Sequence, residues 1–474
     1  MCVIQQQELP HQQEGSMKKI LALTLILALC QFGTAQDKPL AVSGGVARTA
    51  ALGGGPTNLY ITDYTDVYIN PANALLYPDL LFADIGYQFA GYSANGQNIG
   101  FTLGTGGIAI GISIGREEGP MYAKNSYGSG TFANSDYMLP SLNGYSPIAS
   151  QEPLAPVQLY AAFSMGPIKL GAAVYRAGWS QTDDGTGSVG AKQKLVVSNN
   201  QTGFKVGTLM GDDKTYLDAS ALLRFNGSSA EFTDNNPNIT TFTNSKYSVT
   251  GTEFGANARF FLPLSDKLTF VPVGRYYTFA YEPEVTSTPA PTHPLTKANA
   301  YSRNELEIGA GMNVKVQGGL VAIGLSMQRI SLNNDRTQFD VVPNTVTVKQ
   351  KRVWLDLPKV NIGAELALNS WATARFGYFK RFSTCTTTID YPAMASTNTP
   401  ASTTETSNSL EAMYAPALGM ASAADQQLSI GLGLTYDRIA LDGYIADSML
   451  GDMPYILSGK INGVFGVLSM SYKF

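Results

Sequence analysis

The chain has 474 residues, 44% of them hydrophobic and only 14% charged, with a net charge of -4. A near-neutral balance with no run of Lys and Arg excludes a surface that tracks a phosphate backbone, so nucleic-acid binding is not expected. A soluble chain of this length suggests about three domains of roughly 150 residues, but one closed sheet can absorb it all. The 48 Gly and 25 Tyr favour that alternative, since strands pass close together in a barrel and aromatic rings collect where membrane meets water.

The first element reads as an address. Met17-Lys18-Lys19, the apolar run Ile20 to Leu29 and the small residues Gly33-Thr34-Ala35 give the charged, apolar and cleavage regions of a secretory signal, with cleavage expected after Ala35. The sixteen residues before Met17 carry no Lys or Arg and read as an upstream extension. The apolar run is far shorter than the ~20 residues of a spanning helix, and the bulky Leu29 before Cys30 argues against a lipoprotein signal. Removal of the leader takes Cys2, Cys30 and His11 with it. Only Cys385 and His293 then remain, the latter in the Pro-rich run 289–294. One cysteine builds no disulfide framework. One histidine in a Pro-rich run supplies no Ser-His-Asp triad and no His-rich zinc site, so no catalytic residue, metal site or cofactor is expected.

Next comes an Ala/Gly-rich stretch, Val46-Ala47-Arg48-Thr49-Ala50-Ala51-Leu52-Gly53-Gly54-Gly55, and then Asp63 to Leu75 with Asn70-Pro71-Ala72 inside it. Asn-Pro favours a turn, and proline is tolerated at the first position of a short helix. A compact piece of this kind ahead of a barrel is expected to fold back as a plug, the alternative being a disordered periplasmic tail.

Beyond residue 80 the pattern has period two. Ile108, Ile110, Ile112 and Ile114 alternate with Ala109, Gly111 and Ser113, giving one apolar face and one small face, as a lipid-facing wall requires. The same alternation places Ile85, Leu159, Phe163 and Met165, and later Ile430, Leu432 and Leu434, on one face. Further strands are expected near 168–178, 193–209, 214–226, 252–262, 268–282, 303–316, 319–332, 351–367, 372–383 and 437–446. Short connections at Met165-Gly166-Pro167 and Asn369-Ser370-Trp371 contrast with long polar ones near 117–152, 227–251, 283–301 and 384–426. That asymmetry favours an outer-membrane barrel over a soluble β-sandwich. In hydrocarbon an unpaired backbone group costs several kcal/mol, so a spanning sheet has to close.

Gly185, Gly187 and Gly190 match a G-x-G-x-x-G pattern, but Asp183-Asp184 precede it and a strand-like run follows, so a turn is expected rather than a nucleotide site. The Ser/Thr-rich stretch 383–409 reads as a surface loop. The last strand alternates Leu468, Met470, Tyr472 and Phe474 with Val467, Ser469, Ser471 and Lys473, and its final aromatic resembles the signal read by barrel-assembly machinery.

Arg48, Ala51-Leu52-Gly53-Gly54 and Asn70-Pro71-Ala72 resemble the R-x-x-A-L-G-G and N-P-A elements of the long-chain fatty-acid transporter (FadL-type) superfamily, which includes PorV-type barrels. The resemblance covers about residues 44–75. It implies an all-β transmembrane antiparallel barrel of about 14 strands with a small N-terminal hatch, divided as a leader over 1–35, a hatch segment over 36–80 and a barrel over 81–474. It also implies passive uptake of hydrophobic small molecules such as fatty acids across the bacterial outer membrane, with Asn70, Pro71 and Ala72 shaping the hatch. Arg48 is then a candidate to pair with a lumenal carboxylate or a ligand head group. The alternative within the superfamily is a scaffold or shuttle for secreted proteins. The partners so implied are outer-membrane lipid, a hydrophobic small molecule, the assembly machinery and, on the alternative, secreted proteins.

Overall fold

The computed structural model describes residues 41–53, 58–85, 98–115, 156–186, 192–212, 214–234, 244–288, 301–339, 345–390, 402–407, 426–446 and 466–474. The leader, His293 and the loop tips lie outside them. A short helix, α1 (Val46–Ala51), and two 3-10 turns, Tyr64–Tyr68 and Pro71–Leu76, precede seventeen strands. In chain order these are β1 (Leu80–Ile85), β2 (Asn98–Thr105), β3 (Ile108–Ile114), β4 (Val157–Met165), β5 (Ile168–Thr186), β6 (Lys192–Gly211), β7 (Tyr216–Asp234), β8 (Asn244–Pro263) and β9 (Leu268–Thr288). The remainder are β10 (Tyr301–Val316), β11 (Gly319–Phe339), β12 (Thr345–Ala367), β13 (Ala372–Asp390), β14 (Ser402–Ser407), β15 (Gln426–Tyr436), β16 (Ile439–Ala446) and β17 (Val467–Lys473).

Each strand pairs antiparallel with its neighbour in sequence, save that β13 pairs with both β14 and β15. Pairing of β1 with β17 closes the ring. Since β14 hangs only on the far end of β13, the closed wall has sixteen strands, against the about 14 that the resemblance implies. The one wall strand without a counterpart among the segments read from the sequence is β2. Its outward Ile99, Phe101 and Leu103 alternate with Asn98, Gly100, Thr102 and Gly104, and two glycines in eight residues hide a strand from a reading by propensity.

Seven connections, 106–107, 166–167, 212–215, 264–267, 317–318, 368–371 and 437–438, have two to four residues, and all lie at one end of the wall. Gly106 and Gly107 both have positive φ, as a two-residue hairpin turn requires. The start of β1 and the end of β17 lie at this same end. Short turns mark the periplasmic side of such a barrel.

Outward positions near this end form an apolar belt. Ile110, Leu159, Val174, Val206, Ile308 and Leu325 are all exposed, and the belt reaches Leu357 on β12 and Phe382 on β13. Phe382 lies ten residues beyond Ala372, the start of its strand, and roughly 9–11 residues of tilted strand cross a bilayer. Exposed apolar area of this extent marks a surface covered by something apolar, and a band that follows a closed wall from strand to strand at one bilayer's height matches lipid tails. Strands β5 to β13 nevertheless run for 16 to 23 residues, about twice the crossing length.

Those upper halves correct three sequence expectations. The polar stretch 227–251 is largely the paired ends of β7 and β8, and 283–301 begins as the end of β9. The Ser/Thr-rich stretch 383–409 continues β13 to Asp390 and supplies β14. Outside the hydrocarbon both faces meet water, so the apolar alternation disappears while the hydrogen-bonded ladder persists. Gly185 likewise lies within β5 opposite Gln193, while Gly187 and Gly190 are outside the described residues.

Candidate functional site

Residues 41–53 and 58–79 lie against the inner face of the wall near its short-turn end. Glycine makes the close approach possible. A methyl group placed on Gly207 of β6 would sit 1.8 Å from the Asn70 side-chain oxygen, and one on Gly171 of β5 would sit 2.2 Å from the Ala72 nitrogen. Gly311 of β10 and Gly324 of β11 likewise leave room for the ring of Tyr60, and Gly363, Gly377 and Gly431 of β12, β13 and β15 for Ala51 to Gly53. Inward-facing glycines on seven strands thus form a seat that any side chain would fill.

Local sequence explains the shape of the segment. Asn70 caps the Pro71–Leu76 turn, accepting from the Ala72 backbone N–H at 3.0 Å, and Pro71 occupies the first position, where a missing N–H costs nothing. Asp63 and Asp66 form a capping box on the Tyr64–Tyr68 turn. Tyr64, Tyr68 and Phe82 pack edge-on or tilted at 5.2 and 6.1 Å, forming an apolar core with Val67, Ala74 and Leu80.

Polar contacts fasten the segment on two sides. On one, the Asn70 amide donates to Asp218 Oδ1 of β7 at 2.6 Å and to the carbonyls of Thr208 and Ala219 at 3.0 and 3.2 Å. Arg259 of β8 joins Asp218 at 2.7 Å to Asp66 of the segment at 2.6 Å, and donates to the Ile61 carbonyl. Lys205 of β6 donates to the Tyr68 carbonyl. Burial pushes the Asp66 carboxyl up to about 6, Arg259 pulling it down and Asp218 adding to the rise.

On the other side, Arg48 of α1 holds Glu365 of β12 through two N–H groups at 2.8 and 3.0 Å, and Asp63 at 3.0 Å. Two parallel bonds to one carboxylate fix orientation as well as charge. Burial works against the charge on Arg48, but the two carboxylates outweigh it and hold the guanidinium well above its ordinary pKa. Glu365 also accepts from Arg375 of β13, which reaches Asp442 of β16, and Asp442 accepts from Ser43 and the Gly44 backbone.

Of the four residues singled out in the sequence, Asn70, Pro71 and Ala72 thus meet β5, β6 and β7, while Arg48 meets β12. Asp218, Arg259, Glu365 and Asp442 were missed. Their signal is a charge at an inward position of a strand whose other face meets lipid, an expensive placement that marks a partner. Above the seat the inner wall carries the fully buried pair Arg224–Glu253 at 2.7 Å, the cluster Arg275, Arg303, Glu305, Glu307 and Lys359, and the apolar Phe279, Ile330, Leu332 and Trp354. Among the described residues no group of three or more His, Cys, Asp or Glu is placed to hold a metal ion.

A closed antiparallel wall, an apolar belt one bilayer high and short turns confined to one end decide the location. The chain is a bacterial outer-membrane barrel. No family model and no curated protein matches it. Similar solved structures include the toluene transporter TodX of Pseudomonas putida, at 11% identity and TM-score 0.37 over 92% of this chain and 100% of that one. The toluene transporter TbuX of Ralstonia pickettii matches at 10% and 0.35 over 92% and 99%. A Pseudomonas aeruginosa FadL homologue matches at 12% and 0.35 over 93% and 100%. At that level of likeness neither family nor substrate transfers to this chain.

Proposed function

We propose that this barrel is a FadL-type channel for passive uptake of hydrophobic small molecules, such as fatty acids, with the segment 36–80 as its hatch. The observation that carries the reading is the seat of inward glycines, which fits Asn70-Pro71-Ala72, the Tyr60 ring and Ala51 to Gly53 against seven strands. A water-filled pore has no need of such a seat. Phe279, Ile330, Leu332 and Trp354 make the packing of the inner wall above it partly apolar, and no energy source is required for a ligand moving down its gradient. Arg48 and Asn70 act as fasteners of the hatch on its two sides.

A second reading, a scaffold or shuttle for secreted proteins, is favoured by the height of the wall. Strands β5 to β13 stand well clear of the belt and would offer a secreted protein a hydrogen-bonded rim. Mass spectrometry of small molecules bound to the barrel purified from its native membrane separates the two, with an unrelated barrel in the same detergent as control. Enrichment of acyl chains or another apolar compound supports uptake. A co-purifying secreted protein with no enriched ligand supports the scaffold.

A further inference from the structure

We infer that the segment ahead of β1 has a second task, as an inner strap that holds the barrel's closing seam shut. The seam is short. Among the described residues β1 and β17 share six residue pairs, and their other neighbours add five with β2 and six with β16, whereas β5 and β6 share nineteen. A ladder so short leaves little backbone hydrogen bonding to resist separation of the first and last strands.

The strap lies across this weak sector. The Val46 backbone N–H donates to Asp84 of β1 at 3.0 Å, and the next N–H, of Ala47, donates to Ser469 of β17 at 2.9 Å. Ser469 in turn donates to Asp84, so one turn of backbone and two side chains close a triangle over the joint. Ser471 of β17 donates to the Val42 carbonyl, Lys473 of β17 to the Pro78 carbonyl, and Gly44 N–H reaches Asp442 of β16 at 2.9 Å. Asp84 also accepts from Asn98 of β2 at 2.9 Å, which extends the chain of contacts over four adjacent strands. All these side chains but Lys473 are nine-tenths or more buried, where an unmade hydrogen bond carries its full desolvation cost. Gly45, at φ 100°, permits the approach, for a methyl group there would meet Ser469 at 2.5 Å.

The inference concerns the wall and stands whether or not a ligand passes through it. It is tested in the full chain with Ser469→Ala/Ser471→Ala, with Asn70→Ala as a control that loosens the same segment on the opposite side. Hydrogen exchange is followed in β1 and β17 and, for reference, in β8 and β9. The double variant is expected to speed exchange of the seam by about tenfold or more, the equivalent of one or two lost hydrogen bonds, leaving β8 and β9 unchanged. Asn70→Ala is expected to leave the seam protected. A disulfide across the lipid-facing pair Ala83→Cys/Met470→Cys is expected to restore protection in the double variant and, if that variant alone does not assemble, to let it assemble. Unchanged seam exchange in the double variant, equal loosening by Asn70→Ala, or failure of the disulfide to rescue overturns the inference.

Discussion

The two faces of the same strands are written in different languages. Outward, Val206 of β6 needs only to be apolar, because lipid tails accept any apolar shape. Inward, its neighbour Gly207 must be glycine, because the Asn70 side chain occupies the space where a Cβ would go. The outer face therefore encodes location, whereas the inner face encodes one partner, the segment ahead of β1. Substitutions one residue apart are expected to have unrelated effects.

The largest effect is expected from Gly207→Val. The added side chain displaces Asn70, and the segment leaves its seat. Planar-bilayer recordings should then show steady conductance, and protease added from the short-turn side should cut within residues 41–79, while Val206→Leu should change neither. Next comes Asp218→Ala, which takes an acceptor from Asn70 and Asn73 and a counter-charge from Arg259. Loss of one partner from a buried charged cluster costs about 3–5 kcal/mol, read as earlier thermal release of the segment. Val206→Arg should cost the whole barrel about 2–4 kcal/mol, as a cation near the bilayer midplane does. That loss should appear in unfolding from lipid with the segment still seated. Glu365→Gln should have the smallest effect, because it keeps one acceptor for Arg48, Asp63 still holds that guanidinium, and the site is partly open to water. A few-fold rise in protease sensitivity of α1 is expected, without conductance.

The difference between the faces also explains what was legible in the sequence. The belt was plain in the alternation of Ile108, Ile110 and Ile114 against small residues, because lipid imposes one rule on every strand. β2 was lost because its inward face is largely Gly and Thr. The ends of β7, β8, β9 and β13 look like loops in the sequence, since above the membrane nothing forces an apolar face while strand pairing continues. In the segment itself, Asn70-Pro71 announced a capped turn that is present at Pro71–Leu76. Arg48 in the sequence asks for a lumenal carboxylate or a ligand head group, yet nothing local to it names Glu365, 317 positions away. Such pairing is set by barrel register, which period two alone leaves undetermined.

The most direct test of the account is the planar-bilayer conductance of the full-length wild-type chain beside Gly207→Val. A wild type without steady conductance and a variant with a stable open pore is the predicted result. Steady porin-like conductance from the wild type would contradict the claim that residues 41–79 close the lumen.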